Sequence, residues 1–218
     1  MIRAVIFDMD GVITDSERVG FGTVIEAGRR QGFEISESFI RGTLGMKFDT
    51  SEPLYTTAYP GINLPRLYAD FRALMLELAA RKEIPLMRGV PEILDALDEM
   101  RIPRAVASSS AVELIRAYLE PHGVFSRFTE IVSGEFIPRS KPEPDIFLHA
   151  AARLNAAPSE TLIIEDSVNG IRAARASGAM SVMVPDQVPY TDDLAPYVDH
   201  VCVSLLDVIP IIRAGVRG

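Results

Sequence analysis

Arg3-Ala4-Val5-Ile6-Phe7-Asp8-Met9-Asp10-Gly11-Val12 is the stretch on which the reading of this chain turns. Ala4 to Phe7 form a short apolar, strand-forming run. It is bounded at once by two carboxylates one residue apart and then by a glycine. A run without polar alternation reads as a strand buried on both faces, as in a parallel sheet. Leaving Asp8 and Asp10 unpartnered at its buried end would cost roughly several kcal/mol for each ion. Either the pair is solvated at a loop mouth, or something positive sits there. Gly11 lets backbone approach a ligand or take positive φ.

Outward from this strand the pattern changes period. Thr14-Asp15-Ser16-Glu17 has capping-box spacing, and Phe21, Val24, Ile25 and Gly28 recur at helical spacing up to Gln31-Gly32. From Phe33 to Glu83 no buried strand is evident. Short helices are expected near 36–42, 49–58 and 65–82, punctuated by Gly42, Gly45, Pro53, Pro60, Gly61 and Pro65. Residues 16–83 therefore read as an all-helical insert, hung on linkers at Val12–Asp15 and Ile84–Gly89. Residues 1–15 and 84–218 make up the main domain. Beyond Pro91 the chain alternates, with strands expected at 103–107, 129–132, 161–165 and 180–184. Helices are expected at 91–100, 111–120, 143–154, 168–177 and 204–213. This alternation predicts an α/β fold, a parallel sheet with helices on both faces.

Ligands of such sheets bind beyond the carboxyl ends of the strands. There the sequence places Asp8 and Asp10, then Ser108-Ser109-Ser110, then Glu165-Asp166-Ser167, and a loop carrying Ser140-Lys141-Pro142. Polar loop ends are common singly; the four together carry the weight. Asp8, Glu165 and Asp166 offer hard oxygen ligands, and the Asp10 carbonyl a further one, which suits Mg²⁺. Ser108, with Ser109 beside it, suits phosphate oxygens. Ser110-Ala111-Val112-Glu113 has capping-box spacing, so a helix N-terminus that favours an anion is expected just beyond. Lys141 adds a point charge. The chemistry that follows is phosphoryl transfer. Asp8 attacks phosphorus to give an aspartyl phosphate, and Asp10 carries the proton, first to the leaving alcohol and then from water.

Composition narrows the class. The 218 residues are 48% hydrophobic and 24% charged, enough for one large domain or a core with an insert. A net charge of −8 argues against nucleic acid as the main partner. The one cysteine, Cys202, excludes an internal disulfide and reads as a small core residue. No run approaches the ~18 apolar residues of a membrane span, and no signal peptide is evident. The expected protein is cytoplasmic, a monomer or weak homo-oligomer, with no membrane partner. His122, His149 and His200 show no pairing pattern. The loop Gly42–Lys47 is a candidate substrate reader, through Arg41 or Lys47.

Asp8-Met9-Asp10-Gly11-Val12, Ser108, Lys141-Pro142 and Glu165-Asp166-Ser167 resemble, in order and spacing, the four motifs of the haloacid dehalogenase-like phosphohydrolases. The helical insert after the first motif is similar to the cap of the β-phosphoglucomutase and phosphoglycolate phosphatase branch, as is Met180–Asp186. The resemblance spans nearly the whole chain. It implies a Rossmann-like core with a small all-α cap domain, a Mg²⁺ cofactor and a small phosphorylated metabolite as substrate. It also implies Asp8 as nucleophile, Asp10 as general acid/base, Ser108 and Lys141 at the phosphate, Asp166 on the metal, and Glu165 as ligand or supporting partner. Dehalogenases of this kind lack the second aspartate, so Asp10 favours a phosphate ester. β-Phosphoglucomutases carry a histidine where Gly20 stands and an arginine near Phe48, so hydrolysis is favoured over a mutase. A phospho-accepting signalling or binding module is the remaining alternative; such modules lack a helical insert.

Overall fold

The computed structural model describes residues 1–43 and 48–216. β1 (Ala4–Phe7) is buried along its length. It lies inside a parallel sheet with β2 (Arg104–Ser108), β3 (Glu130–Ser133), β4 (Thr161–Glu165), β5 (Met180–Met183) and β6 (His200–Val201). The order is β3-β2-β1-β4-β5-β6, and every pairing is parallel. The chain steps from β1 outward through β2 to β3, then returns to β1's other side for β4. The reversal falls at β1, the kind of switch point that opens a crevice beyond the strand ends. Phe7 lies opposite Val106 on one side and Ile164 on the other. The residues next along each strand, Asp8 and Glu165, therefore emerge side by side.

Alternation along β1 divides the core into two layers. Val5 and Phe7 face one cluster, with Ile93, Leu97, Ile115 and Val208. These come from α5 (Val90–Met100), α6 (Val112–Leu119) and α9 (Leu205–Val216). Ala4 and Ile6 face the other, with Ile146, Phe147 and Ala174, supplied by α7 (Asp145–Arg153) and α8 (Val168–Ser177). Cys202 is buried in the first cluster, where its thiol serves as packing.

Between β1 and α5 come α1 (Ser16–Arg29), α2 (Glu37–Arg41), α3 (Phe48–Ala58) and α4 (Leu64–Ala80). They enclose their own small cluster, which includes Phe21, Ile35, Ile40, Tyr55 and Leu67. Asn63 caps α4 by accepting from Arg66 N–H at 3.0 Å, and Pro65 stands in its first turn. The two connecting segments lie together: Asp15 N–H donates to the Pro85 carbonyl at 2.9 Å, and Met87 N–H to the Ile13 carbonyl at 2.9 Å.

Two helix starts differ from expectation. Asp15 precedes α1 without a capping side-chain bond; its carboxylate is taken by Arg18 instead. Ala111, not Ser110, precedes α6. In both places a hydroxyl or carboxylate that fitted a cap is engaged elsewhere. β6 has no signal in the sequence, because its two exposed residues carry no apolar run. No helix among the described residues is long and apolar enough to cross a membrane.

Candidate active site

Asp8, at 6% exposure, is almost buried just beyond β1. Lys141 reaches it from the loop between β3 and α7, its own side chain only 9% exposed. The Lys141 ammonium donates to Asp8 Oδ1 and to Glu165 Oε1 at 2.5 Å. Glu165 is immobilised on its other oxygen too. Oε2 accepts from the backbone N–H of Asp166 at 2.9 Å and of Ser167 at 2.8 Å, and from the Ser167 hydroxyl at 3.0 Å. Gly170, in the first turn of α8, makes this packing feasible: a Cβ there would lie 1.8 Å from the Glu165 carboxyl carbon.

Asp10 is held from three sides. Its Oδ1 accepts from Ser16 Oγ at 2.5 Å. Its Oδ2 accepts from Ser110 Oγ at 3.0 Å and Ser108 Oγ at 3.3 Å. Ser108 in turn accepts from Ser110 N–H at 3.0 Å. Ser109 lines the same cavity from an exposed position. Asp166, 2% exposed, has no hydrogen-bond partner for its Oδ2. Gly11 turns beside it at φ +77°, and a Cβ there would come within 2.4 Å of that oxygen. The left-handed turn and this close approach both require glycine.

Carboxylates outnumber cations here, and the ionisation equilibria show it. Burial, then the charges of Glu165 and Asp10, push the Asp8 carboxyl up to about 8 against the opposing pull of Lys141. Burial, then Glu165, Glu17 and Asp8, hold Asp166 well above the ordinary carboxylate range. Burial alone would lower Lys141; Asp8 and Glu165 outweigh it and keep the ammonium firmly protonated. Burial is the largest cause for the two carboxylates, and the excess of negative charge adds to it; for Lys141 that excess sets the direction against burial.

All seven sequence-predicted site residues thus meet at one sheet edge; six of them line a cavity of about 730 Å³, while Ser108 is fully buried behind it and bonded to Asp10. Three further polar residues were not foreseen as site residues. Ser16 and Ser110 hold Asp10, and Glu17, in the first turn of α1, lines the cavity. Glu17 Oε2 is buried without a partner, and carboxylate oxygens of Glu17, Asp166 and Asp186 lie within 4.8 Å of one another. Burial, then Asp10 and Asp186, push the Glu17 carboxyl up to about 7. In the sequence their signal is the same as that of helix capping. Of the three histidines, His122 bonds the Ile84 carbonyl at 2.8 Å, while His149 and His200 are exposed. Arg41 bonds Glu37 and Gln187 and does not line the cavity. Lys47 lies outside the described residues.

Residues 2–178 match the family model of the haloacid dehalogenase-like hydrolases. Among characterised relatives, hexitol phosphatase B of Escherichia coli is 31% identical over 84% of this chain and 84% of its own length. A probable pseudouridine-5'-phosphatase of Drosophila melanogaster is 32% identical over 94% of this chain and 90% of its own. Among solved structures, CbbY from Rhodobacter sphaeroides in complex with a xylulose bisphosphate superposes with a TM-score of 0.84. It is 21% identical, covering 95% of this chain and 96% of that one, a likeness of fold.

Proposed function

We propose a mechanism that starts from family membership: the chain belongs to the haloacid dehalogenase-like hydrolases, as a phosphatase of a small phosphorylated metabolite. The observation that carries it is the Lys141 bridge between Asp8 and Glu165, with Asp10 independently held by Ser16, Ser108 and Ser110. Two adjacent carboxylates are thereby given different surroundings, and so different roles.

Asp8 is the nucleophile. Its oxygen forms a bond to phosphorus as the bond to the leaving oxygen breaks, and Asp10 gives that oxygen a proton. Water then attacks phosphorus and passes its proton to Asp10. The bond from phosphorus to Asp8 breaks, releasing phosphate and restoring the carboxylate. Lys141 offsets charge on the transferring group. Ser109 faces the phosphate, while Ser108, fully buried, holds Asp10 from behind, and the hydroxyls on Asp10 fix the direction in which it delivers its proton.

The site also fits a hard divalent cation. Asp166 Oδ2 is buried and unpartnered, and Asp8 carries an excess of carboxylate neighbours. Asp8, Asp166 and the Asp10 carbonyl would hold Mg²⁺, with Glu165 supporting them. Bound there, the ion would neutralise phosphoryl charge. Residues 16–83 act as a cap that moves on the paired linkers at 12–15 and 84–89 and excludes water when closed. Gly20 lines the cavity without a side chain, which favours hydrolysis over return of the phosphoryl group to a sugar.

The test is phosphate release from a metabolite panel with Mg²⁺, comparing the native chain with Asp8→Asn. A loss of at least about 10³-fold is expected. Undiminished release would sink the mechanism.

A further inference from the structure

Away from the phosphate end, the cavity changes character. Its volume of about 730 Å³ sits within the ~300–1,000 Å³ of sites that enclose drug-sized ligands. A two-carbon acid would leave most of it empty. The roof is built from Phe21, Val24, Ile40, Tyr68, Phe71 and Met75 of α1, α2 and α4; Leu114 and Tyr118 of α6 close one side. Tyr68 and Phe71 are near-parallel, with ring centroids 6.4 Å apart and planes at 26°. Tyr68 remains 43% exposed. Gly20 leaves the approach to Phe71 open, since a Cβ there would meet only that ring, at 3.7 Å.

The charges that bound the cavity are equally one-sided. Glu17 contributes a buried, unpartnered carboxylate oxygen at the phosphate end, within 4.8 Å of carboxylate oxygens of Asp166 and Asp186. Among the described residues, Lys141 is the only cation that lines the cavity, and it is engaged by Asp8 and Glu165. Neighbouring arginines are committed elsewhere. Arg41 lies over the Phe21 ring at 4.7 Å and bonds Glu37 and Gln187, and Arg72 pairs with Glu113. A second anionic group on the substrate would be desolvated in the cavity with no free cation among the described residues to offset it.

We propose that the substrate is the phosphate monoester of an uncharged alcohol bearing a planar ring of nucleoside size. The ring lies against Phe71 and Tyr68. This rests on the phosphatase reading and narrows it. Aromatic walls reward a flat ring in a way that a polyol chain does not match, and a second anionic group would enter without a free countercharge.

The test is kcat/KM, with Mg²⁺, for uridine monophosphate, sorbitol phosphate, phosphoglycolate and a sugar bisphosphate. The ring-bearing ester should lead sorbitol phosphate by about tenfold or more, with phosphoglycolate and the bisphosphate lower still. Phe71→Ala should cut that lead about tenfold, mainly through KM, as loss of a base-stacking ring does. Gly20→Val, at a position with room for a side chain, should cut it by blocking the ring's approach. Free uridine should compete with the ester where sorbitol does not. A lead for sorbitol phosphate, phosphoglycolate or the bisphosphate, or a selectivity that no variant moves, overturns the proposal and leaves the phosphatase reading standing. No phosphate release from any ester would sink both.

Discussion

The floor and the roof of the cavity are built on opposite principles. On the floor, at the ends of β1, β2 and β4, buried charges are tied to one another: Lys141 joins Asp8 to Glu165, and three hydroxyls converge on Asp10. The roof, from α1, α2 and α4, is a wall of apolar and aromatic side chains. A network of buried charges fails when a single member is removed. An apolar wall loses contact area in increments. Damage to the floor should therefore be abrupt and concern rate, and damage to the roof graded and concern selectivity.

The sharpest way to break this contrast is Lys141→Met. Three buried carboxylates would then share no ammonium, and removing one partner of a buried ion pair typically costs about 3–5 kcal/mol. Activity should fall by about 10²–10³-fold at saturating substrate, and the metal-free protein should melt earlier. If the variant kept both rate and melting temperature, the floor would not be an electrostatic device. Gly170→Ala attacks the same network without touching a charge. Its methyl would intrude on Glu165, at a distance of 1.8 Å from the carboxyl carbon, and displace the carboxylate that positions Lys141. Since a 1 Å misplacement can cost about 10²-fold, a loss of roughly 10- to 100-fold in kcat is expected. A fully active Gly170→Ala protein would show that Lys141 does not need Glu165.

The same division explains what the sequence made legible. β1, β2, β4 and β5 are apolar runs of four or five residues, and the polar groups at their ends stand out against them. Asp8, Asp10, Ser108, Lys141, Glu165 and Asp166 could therefore be named before any fold was known, and they meet at one sheet edge. Ser16, Glu17 and Ser110 were hidden because helix caps and site residues draw on the same side chains. Spacing alone could not tell a hydroxyl that accepts from its own helix from one that donates to Asp10. The roof was hidden for another reason. Phe21, Phe71 and Met75 fit helical periodicity as core residues, and periodicity does not say which apolar face borders a void.

Titration offers a gentler probe of the floor. Asp8, Asp166 and Glu17 all bind protons more tightly in the fold than in the unfolded chain. Groups raised in this way contribute stability that is full below the unfolded carboxylate values near 4. That contribution fades as pH rises through the folded values, about 7 for Glu17 and about 8 for Asp8. The EDTA-treated protein should thus melt lower at pH 8 than at pH 5.5. Millimolar Mg²⁺ should reverse the loss, because a cation replaces the protons, raising the melting temperature at pH 8 by about 5 °C or more and by less at pH 5.5. Equal Mg²⁺ stabilisation at both pH values would mean that the cation binds away from these carboxylates.

The smallest effect is expected where roof and floor touch through an exposed ion pair. Arg72 of α4 donates to Glu113 of α6, tying the helical insert to the sheet domain beside the cavity mouth. Its side chains are 42% and 56% exposed, and exposed pairs contribute about 0.2–1 kcal/mol. If the pair favours the closed cap, Arg72→Ala should raise KM by only about 1.4- to 5-fold. Glu113→Ala should do the same, and the double variant should be no worse than either alone. Salt supplies the control, because an exposed pair is screened at high ionic strength. In 0.5 M NaCl the native and variant KM values should converge. A difference that survives salt would show that Arg72 acts by packing against the roof, and the two halves of the cavity would then be coupled more tightly than their contrasting chemistry implies.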